Sequence, residues 1–167
     1  ETGIKELHGD LAEYYVESPK YLVEVPQSIK DIGVLLEPLS FVEKAFRRTL
    51  ETQNNVDYWN PKKALVLGAG TIGILETLLL RNYGIDEVYV AAKSEKGNLK
   101  SRIIEEIGAS YISTPDSSIQ QIAKDIGNLD IIMESTGSSY MAAEAMKCIG
   151  INGILCLTSV TGGNEKI

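Results

Sequence analysis

The sequence predicts an α/β fold in which a doubly wound parallel sheet is covered by helices on both faces. Three observations support this prediction. Short apolar segments alternate with segments of helical spacing from Lys63 onward, a glycine cluster follows the first apolar segment, and each helical segment leads to another apolar one. Strands connected by single helices require right-handed crossovers, so they run parallel and are buried on both faces.

The predicted elements follow one another along the chain. We expect strands at Ala64–Leu67, Glu87–Ala91, Tyr111–Ile112, Asp130–Met133 and Ile154–Leu157, with helices at Thr71–Tyr83, Leu99–Ile107, Ser117–Ile126 and Tyr140–Ile149. Gly108 and Gly150 are expected to end two of these helices, because glycine is favoured just past a helix C-terminus. Five strands are one short of the usual sheet of about six. We therefore expect this domain, 61–167, to be incomplete at its C-terminus.

Residues 1–60 show a different pattern. Segments 11–17 and 20–25 are rich in aromatic and β-branched residues and are bounded by prolines, which predicts two strands. From Pro38, apolar residues recur with helical spacing, and Pro38 suits the first helical position. We expect residues 1–60 to form part of a second, β-rich domain with a connecting helix.

Composition excludes several classes of protein. The chain of 167 residues is 44% hydrophobic and 23% charged, which is ordinary for a globular protein. A net charge of −7 argues against nucleic-acid or acidic-membrane partners. Since no apolar run reaches about 18 residues, we expect no membrane span, and we also expect no signal peptide. The two cysteines, Cys148 and Cys156, are too few for a disulfide framework. We expect buried thiols and a reducing, cytoplasmic location.

The glycine cluster matches the pattern G-x-G-x-x-G between a strand and a helix. Gly68 permits the tight turn, Gly70 lets the backbone approach a pyrophosphate, and Gly73 lets helix and sheet pack closely. The pyrophosphate would bind at the helix N-terminus, on Thr71, Ile72 and Gly73. The alternative is a glycine-rich turn that binds nothing. The context favours a dinucleotide-binding site.

The end of the second strand bears on which dinucleotide binds. An NAD site usually places an acid about twenty residues beyond the glycines to bind the ribose 2′-hydroxyl. Here the strand ends in Lys93 and Ser94, which suit a 2′-phosphate better. We predict NADP as cofactor, with NAD also possible. The alternative is that Lys93 is a solvated cation and Glu95 binds the ribose.

Two further strand ends are expected at the same edge of the sheet. Small polar or flexible residues follow the fourth and fifth strands, at Ser135, Thr136, Gly137, Thr158, Ser159 and Val160. Ligands of such folds bind at the carboxyl ends of the strands. These residues could line the nicotinamide half of the cofactor, or they could be ordinary polar turns.

Glu37 lies among leucines in the segment "IGVLLEPLSFV". Pro38 disfavours helical geometry at the preceding residue, so Glu37 is expected at the mouth of the helix. A carboxylate embedded among leucines is costly unless it is paired or bound to a metal. The alternative is a partly wet acid at a helix N-terminus that accepts backbone hydrogen bonds.

The segments "HGDLAEYYVESPKYLVEVP" and "IGVLLEPLSFVEKA", followed by the glycine cluster, are similar to the zinc-dependent medium-chain dehydrogenases. "PKYLVEVP" with "LLEPLSFVEKA" resembles their archaeal glucose (aldose) dehydrogenase branch over essentially the whole chain. The resemblance implies that 1–60 is the last part of a GroES-like catalytic domain and that 61–167 is a Rossmann domain.

The resemblance also implies roles for individual residues. Glu37 would be a catalytic residue that binds substrate and binds the zinc or lies beside it, and Glu1 would help to hold sugar or metal. His8 would lie in a loop near the active site without being a ligand. The remaining zinc ligands of the family come from an upstream Cys and a Gly-His-Glu motif, and this chain has neither before Cys148.

The implied activity is that of an oxidoreductase. The parent protein would transfer a hydride from the anomeric carbon of glucose or a similar aldose to NADP or NAD with the help of zinc, as a homo-oligomer. This chain alone is expected to be inactive. Three alternatives remain: a zinc-dependent alcohol, polyol or threonine dehydrogenase, a zinc-free quinone-reductase-like enzyme, or a dinucleotide-binding module without catalysis.

Overall fold

The computed structural model describes residue 6 and residues 8–56, 59–115 and 117–160, and the sheet lies in the second of two units, Leu35–Ile167. Its parallel strands are β1 (Lys63–Leu67), β2 (Glu87–Ala92), β3 (Ser110–Ser113), β4 (Ile131–Glu134) and β5 (Ile154–Leu157). Their order in the sheet is β3-β2-β1-β4-β5. The five predicted strands are therefore confirmed, each to within one residue at either end.

Helices of this unit are α1 (Leu36–Gln53), α2 (Thr71–Asn82), α3 (Leu99–Glu106), α4 (Ile119–Ile126) and α5 (Ser139–Met146). Two predicted boundaries were wrong. Helix α4 starts after Ser118, whose hydroxyl accepts a hydrogen bond from the backbone N–H of Gln121 at 3.2 Å. Helix α5 ends at Met146 rather than Ile149. Gly150 does not end it but packs tightly, since a Cβ there would lie 2.4 Å from the Asn128 side-chain oxygen.

Two apolar layers cover the two faces of the sheet. Alternate residues of β1 face opposite layers: Ala64 and Val66 lie in one, Leu65 and Leu67 in the other. Helices α1, α2 and α3 contribute buried residues to the first layer, and α4 and α5 contribute to the second. This arrangement confirms the predicted doubly wound fold.

The register of the sheet brings the carboxyl ends of four strands level. Leu67 at the end of β1 is paired with Ala91 of β2 and with Glu134 of β4, and Glu134 is paired with Leu157 of β5. The chain adds β2 and β3 on one side of β1 and then crosses to add β4 on the other. A crevice forms outside the carboxyl ends of the strands where the strand order reverses. The loops after β1 and β4 flank that point.

The predicted position of Pro38 was wrong, because Pro38 is the third residue of α1 rather than the first. A proline in the first turn lacks only an N–H that has no intrahelical partner, so the helix can begin earlier. Val42 and Phe46 are buried and pack in the layer of α2. Helix α1 therefore belongs to the same unit as the sheet. The proposed domain boundary of the whole protein, after residue 60, stays a prediction.

The other unit is Glu1–Val34. It contains 3₁₀ helices at Pro19–Tyr21 and Gln27–Leu35, and the second helix ends one residue beyond the unit boundary. The two strands predicted at 11–17 and 20–25 were wrong for the described residues. Val16 and Val23 are 100% and 84% exposed, and no described residue pairs with either segment as a neighbouring strand. A strand needs a neighbour to complete its backbone hydrogen bonds, so β propensity alone does not form one. None of the described helices is both long enough and apolar enough to cross a membrane.

Candidate functional site

The glycine turn after β1 has the geometry that the sequence pattern predicts. Gly68 has a φ of +111°, a conformation that disfavours any side chain. Its N–H donates to the carbonyl of Ala91 at 2.9 Å, which keeps the turn in line with the sheet. A Cβ at Gly73 would lie 2.0 Å from the Gly68 carbonyl oxygen. The turn and the start of α2 are therefore packed against each other as closely as backbones permit.

Gly70 differs from these two glycines because a Cβ added there would meet nothing within 4 Å. Gly70 is the N-cap of α2 and provides no side-chain cap. The first N–H groups of a helix have no intrahelical partners, and here they belong to Thr71, Ile72 and Gly73. The turn thus combines open space, free donors and the positive end of a helix dipole, which suit a phosphate group.

A cleft of roughly 390 Å³ opens at this turn. Six of the predicted site residues line it together: Gly68, Gly70, Lys93, Ser94, Ser135 and Thr136. Lys100, Thr114, Ser138 and Met141 also line it and were not predicted. The residues come from the loops after β1, β2, β3 and β4 and from the first turns of α3 and α5. The cleft therefore lies where the register makes the strand ends level.

Two cationic side chains line the cleft. Lys93 and Lys100 line it and are exposed, and neither forms a salt bridge within the described residues. Asn98 caps α3 by accepting from the backbone N–H of Lys100 at 2.8 Å, which fixes Lys100 in the first turn. The hydroxyl of Tyr111 donates to the carbonyl of Ser94 at 2.7 Å and supports the loop after β2. Glu95 is exposed and is not part of the described lining.

The loops after β4 and β5 are joined through Glu134, which is fully buried. Its carboxylate accepts from the backbone N–H of Thr136 at 2.7 Å and from the hydroxyls of Thr136 and Ser159. A buried carboxylate with three donors is well satisfied. Gly137 and Val160 are neighbours in the same loops, since a Cβ on Gly137 would lie 3.9 Å from the Val160 carbonyl oxygen. The two predicted loops are therefore adjacent.

Glu76, which the sequence analysis did not single out, lies on α2 behind these loops and is fully buried. Its Oε1 is 2.6 Å from the hydroxyl oxygen of Thr158. Burial raises the pKa of Glu76 and nearby Glu134 adds to the rise, while the hydroxyls of Thr158 and Ser135 oppose it. The signal that could have revealed this acid is its position in the otherwise apolar run "ILETLLL".

Glu37 is the second residue of α1 and is exposed, so the expected non-helical geometry and the embedding among leucines were wrong, whereas its place at the helix N-terminus agrees with the alternative of an acid in contact with water there. It is the acid of the first turn of α1, where a negative charge suits the helix dipole. The described residues from 35 onward contain no group of three His, Cys, Asp or Glu side chains that could hold a metal. His8 is exposed, and Glu1 lies outside the described residues.

The two cysteines were predicted to be buried, and that prediction was wrong in degree. Both are free thiols of intermediate exposure. Burial raises the pKa of each thiol; the charge of Glu144 adds to the rise at Cys148, and a hydrogen bond with Thr49 opposes it at Cys156. These are therefore poorly reactive thiols at neutral pH.

The glycine turn, the cleft and the sheet occur together in a known protein family. The model of the family described as "Glucose dehydrogenase C-terminus" matches residues 30–167. The chain belongs to this family. The resemblance to the glucose dehydrogenase branch, predicted from the segments "PKYLVEVP" and "LLEPLSFVEKA", is thereby confirmed.

The chain is similar to the glucose 1-dehydrogenase of Methanocella arvoryzae, to which it is 46% identical over 161 residues. That match covers 96% of this chain and 44% of the relative. Glucose 1-dehydrogenase 2 of Vulcanisaeta moutnovskia is 41% identical over 166 residues, covering 98% and 46% respectively. The chain thus spans less than half the length of the relatives it matches.

Among solved structures, the chain is similar to Haloferax mediterranei glucose dehydrogenase in complex with NADP, Zn and gluconolactone. The TM-score is 0.88 at 28% identity, covering 96% of this chain and 45% of the other. The similarity at this TM-score supports the assignment of the sheet unit to the fold of zinc-dependent medium-chain dehydrogenases.

Proposed function

We propose that this chain is the NADP-binding part of an oxidoreductase that acts on glucose or a similar aldose. The single observation that supports this most strongly is the cleft, which is lined by a glycine turn with an uncapped helix N-terminus and by two lysines that form no salt bridge within the described residues. The similarity to glucose 1-dehydrogenases and to an NADP complex of one of them supports the same assignment.

The diphosphate would bind at the glycine turn. The free N–H groups at the start of α2 are its donors, and the space at Gly70 lets the phosphate oxygens approach the backbone. Gly73 contributes one of these N–H groups, and the absence of a side chain at Gly68 and Gly73 has a second role. These two glycines keep the turn tight enough for the helix to point at the cleft.

The 2′-phosphate of NADP would bind beside the two lysines of the cleft. Lys93, Ser94 and Lys100 offer two ammonium groups and a hydroxyl within one lining, which fits a dianion. Glu95, the acid that could take a ribose 2′-hydroxyl instead, does not contribute to the described lining. The arrangement favours NADP over NAD without excluding the latter.

The nicotinamide ring would lie against the loops after β4 and β5. Glu134 holds both loops through Thr136 and Ser159, so the surface they form is set before any ligand binds. A bound nicotinamide accepts the hydride from the anomeric carbon in the proposed oxidation of the sugar to its lactone. The residues described here bind and orient that ring, and they exclude water behind it.

The described residues do not fit a catalytic zinc on their own. Such a site needs about three protein ligands and an open position. Glu37 is a single exposed carboxylate, and the described residues from 35 onward add no cluster around it. We propose Glu37 as a zinc ligand or substrate-binding residue of the whole protein only because the resemblance implies it. No step of the reaction is assigned to the metal here.

The cofactor assignment is tested by titrating the whole protein that contains this chain with NADP and with NAD. Lys93→Ala and Lys100→Ala should each weaken NADP about tenfold, or ~1.4 kcal/mol, and should change NAD little. Lys96→Ala is the matched control, because Lys96 pairs with Glu105 at 2.9 Å and does not line the cleft. Equal weakening of both nucleotides, or tighter binding of NAD than of NADP, would contradict the assignment.

The reaction is tested on the same whole protein with a panel of aldoses, secondary alcohols, polyols and threonine. Turnover of glucose with NADP is the expected result, and it should be lost when zinc is removed and restored when it is returned. Turnover of an alcohol or threonine alone would change the substrate class. Nucleotide binding without turnover of any of them would instead identify a non-catalytic module.

A further inference from the structure

The hydroxyl of Thr158 lies within hydrogen-bond distance of two oxygen atoms, one of which, the Glu134 carbonyl, also accepts the backbone N–H of Thr158 at 2.9 Å. Its hydroxyl oxygen is 2.6 Å from Oε1 of Glu76 and 2.8 Å from the backbone oxygen of Glu134. A threonine hydroxyl has one hydrogen to donate, and a backbone carbonyl can only accept. The hydrogen of Thr158 can therefore satisfy only one of these two neighbours.

A charged Glu76 leaves this arrangement unsatisfied. If Thr158 donates to a Glu76 carboxylate, its oxygen faces the Glu134 carbonyl oxygen with no hydrogen between them. The other carboxylate oxygen of Glu76 is buried and accepts no hydrogen bond from the described residues, because the nearby hydroxyl of Ser135 donates to the Leu67 carbonyl at 3.0 Å. A buried, unpaired charge costs several kcal/mol.

A protonated Glu76 resolves both contacts. Its Oε1–H can donate to Thr158, whose own hydrogen then goes to the Glu134 carbonyl. Oε2 becomes a neutral carbonyl oxygen, for which a missing partner is less costly than for a charge. Each short oxygen–oxygen contact then contains one hydrogen.

We infer that Glu76 is a positioning residue that stays protonated at neutral pH and, by donating to Thr158, holds the loop after β5. This inference rests on the proposed function, in which that loop faces nicotinamide. Glu76 is on the same helix, α2, whose N-terminus would bind the diphosphate. The hydrogen bond between Glu76 and Thr158 therefore connects the helix that would bind the diphosphate with the loop that would face nicotinamide.

The titratable groups around Glu76 do not offer an alternative partner for its charge. Glu134 on β4 is another acid, and its charge disfavours ionisation of Glu76. Cys156 on β5 is a thiol whose pKa burial raises above its ordinary value, so it is neutral below about pH 8. Neither group is a cation, and Glu76 forms no salt bridge within the described residues.

Infrared difference spectroscopy of the whole protein tests the protonation without any cofactor. The spectrum of the unchanged protein minus that of Glu76→Gln, recorded at about pH 7, should show the carbonyl band of a protonated carboxyl group. A carboxylate band in its place would overturn the inference. Glu76→Gln keeps the size and a donor for Thr158, so it is expected to fold.

NADP titration tests the positioning role. Glu76→Gln should bind NADP within about threefold of the unchanged protein, because its amide can still donate to Thr158. Glu76→Leu has no donor, and Thr158→Val has no hydroxyl, so each should bind at least tenfold more weakly. Thr158→Ser restores the hydroxyl and should recover most of the affinity. Circular dichroism confirms that each variant is folded.

The outcomes separate this inference from the proposed function. If the unchanged protein does not bind NADP, the proposed function and the positioning role both fail, while the infrared band still decides the protonation. If Glu76→Leu folds and binds NADP as tightly as the unchanged protein, the positioning role is overturned and the cofactor assignment stands.

Discussion

The contrast between Gly73 and Gly70 provides the sharpest test of the cleft. In Gly73→Ala, the new Cβ would lie 2.0 Å from the Gly68 carbonyl oxygen and 2.9 Å from its carbon. The shorter distance is 1.4 Å inside the 3.4 Å at which ordinary contact begins. Both of the atoms it meets belong to backbone, so no flexible side chain can move aside.

The cost of Gly73→Ala follows from the shift that the turn must make. The Gly68 N–H bonds to the Ala91 carbonyl at 2.9 Å, and a shift of more than 1 Å would break this bond. Overpacking costs roughly 1–3 kcal/mol or more, and a lost backbone hydrogen bond adds about 1 kcal/mol. Alanine regains up to about 1 kcal/mol of helix propensity. We expect a net loss of about 3 kcal/mol.

Gly70→Ala should do the opposite. The backbone at Gly70 is extended, with φ −79° and ψ −176°, so alanine fits without strain, and its Cβ meets nothing within 4 Å. The free energy of unfolding should change by less than about 1 kcal/mol. The added methyl group instead fills the space where the phosphate would approach. NADP should bind at least about tenfold more weakly, or ~1.4 kcal/mol.

Urea unfolding and calorimetric NADP titration of the two whole-protein variants measure both quantities. A Gly73→Ala protein as stable as the unchanged one would show that the turn is looser than described. Unaltered NADP affinity in Gly70→Ala would show that the diphosphate does not bind at this turn. Either result would refute the reasoning from which the site is built.

Three other perturbations test the packing and the thiols. The side chain of Phe46 is 1% exposed. If α1 is part of the sheet unit, Phe46→Ala should lower the free energy of unfolding, measured in urea, by about 3–5 kcal/mol. A loss below about 1 kcal/mol would contradict that. Asp130→Ala removes the acceptor of the backbone N–H groups of residues 62 and 63, at 2.8 and 2.9 Å, and should cost about 1–3 kcal/mol by the same measurement. At about pH 8, iodoacetamide should modify Cys148 and Cys156 several-fold more slowly than free cysteine, because burial raises both pKa values. Rates equal to that of free cysteine would mean that neither thiol is shielded.

The sheet could be predicted almost completely from the sequence, because its determinants are local. Each strand is a short apolar run, and each crossover is one helix with a turn residue at its end. The alternation of Leu65 and Leu67 against Ala64 and Val66 follows directly from the pleat. The two strands predicted before residue 26 failed because a strand depends on a neighbour that the local pattern does not show.

Part of the cleft could also be predicted, because some of its residues are set by the local pattern. Gly68, Gly70, Lys93 and Ser94 follow strand ends, where the fold places ligands. Lys100 was missed because it reaches the cleft from the first turn of α3 rather than from a strand end. The signal was nonetheless present, since the N-cap at Asn98 determines where that turn begins.

Two glutamates show which sequence argument detects a buried acid. Glu37 has leucines beside it, yet it is exposed, because adjacent residues on a helix point in different directions. Residues three and four positions along share a face, and for Glu37 the residue four along, Phe41, is 45% exposed.

For Glu76 the same positions are Leu79 and Leu80, which are 8% and 1% exposed. A glutamate on that face must have a cation, a metal or a proton to offset its burial. The described structure offers no cation, and the hydroxyl of Thr158 has a second acceptor to satisfy. The helical spacing shows that Glu76 lies on a buried apolar face. The single hydroxyl hydrogen of Thr158, shared between two acceptors, then indicates that Glu76 carries a proton.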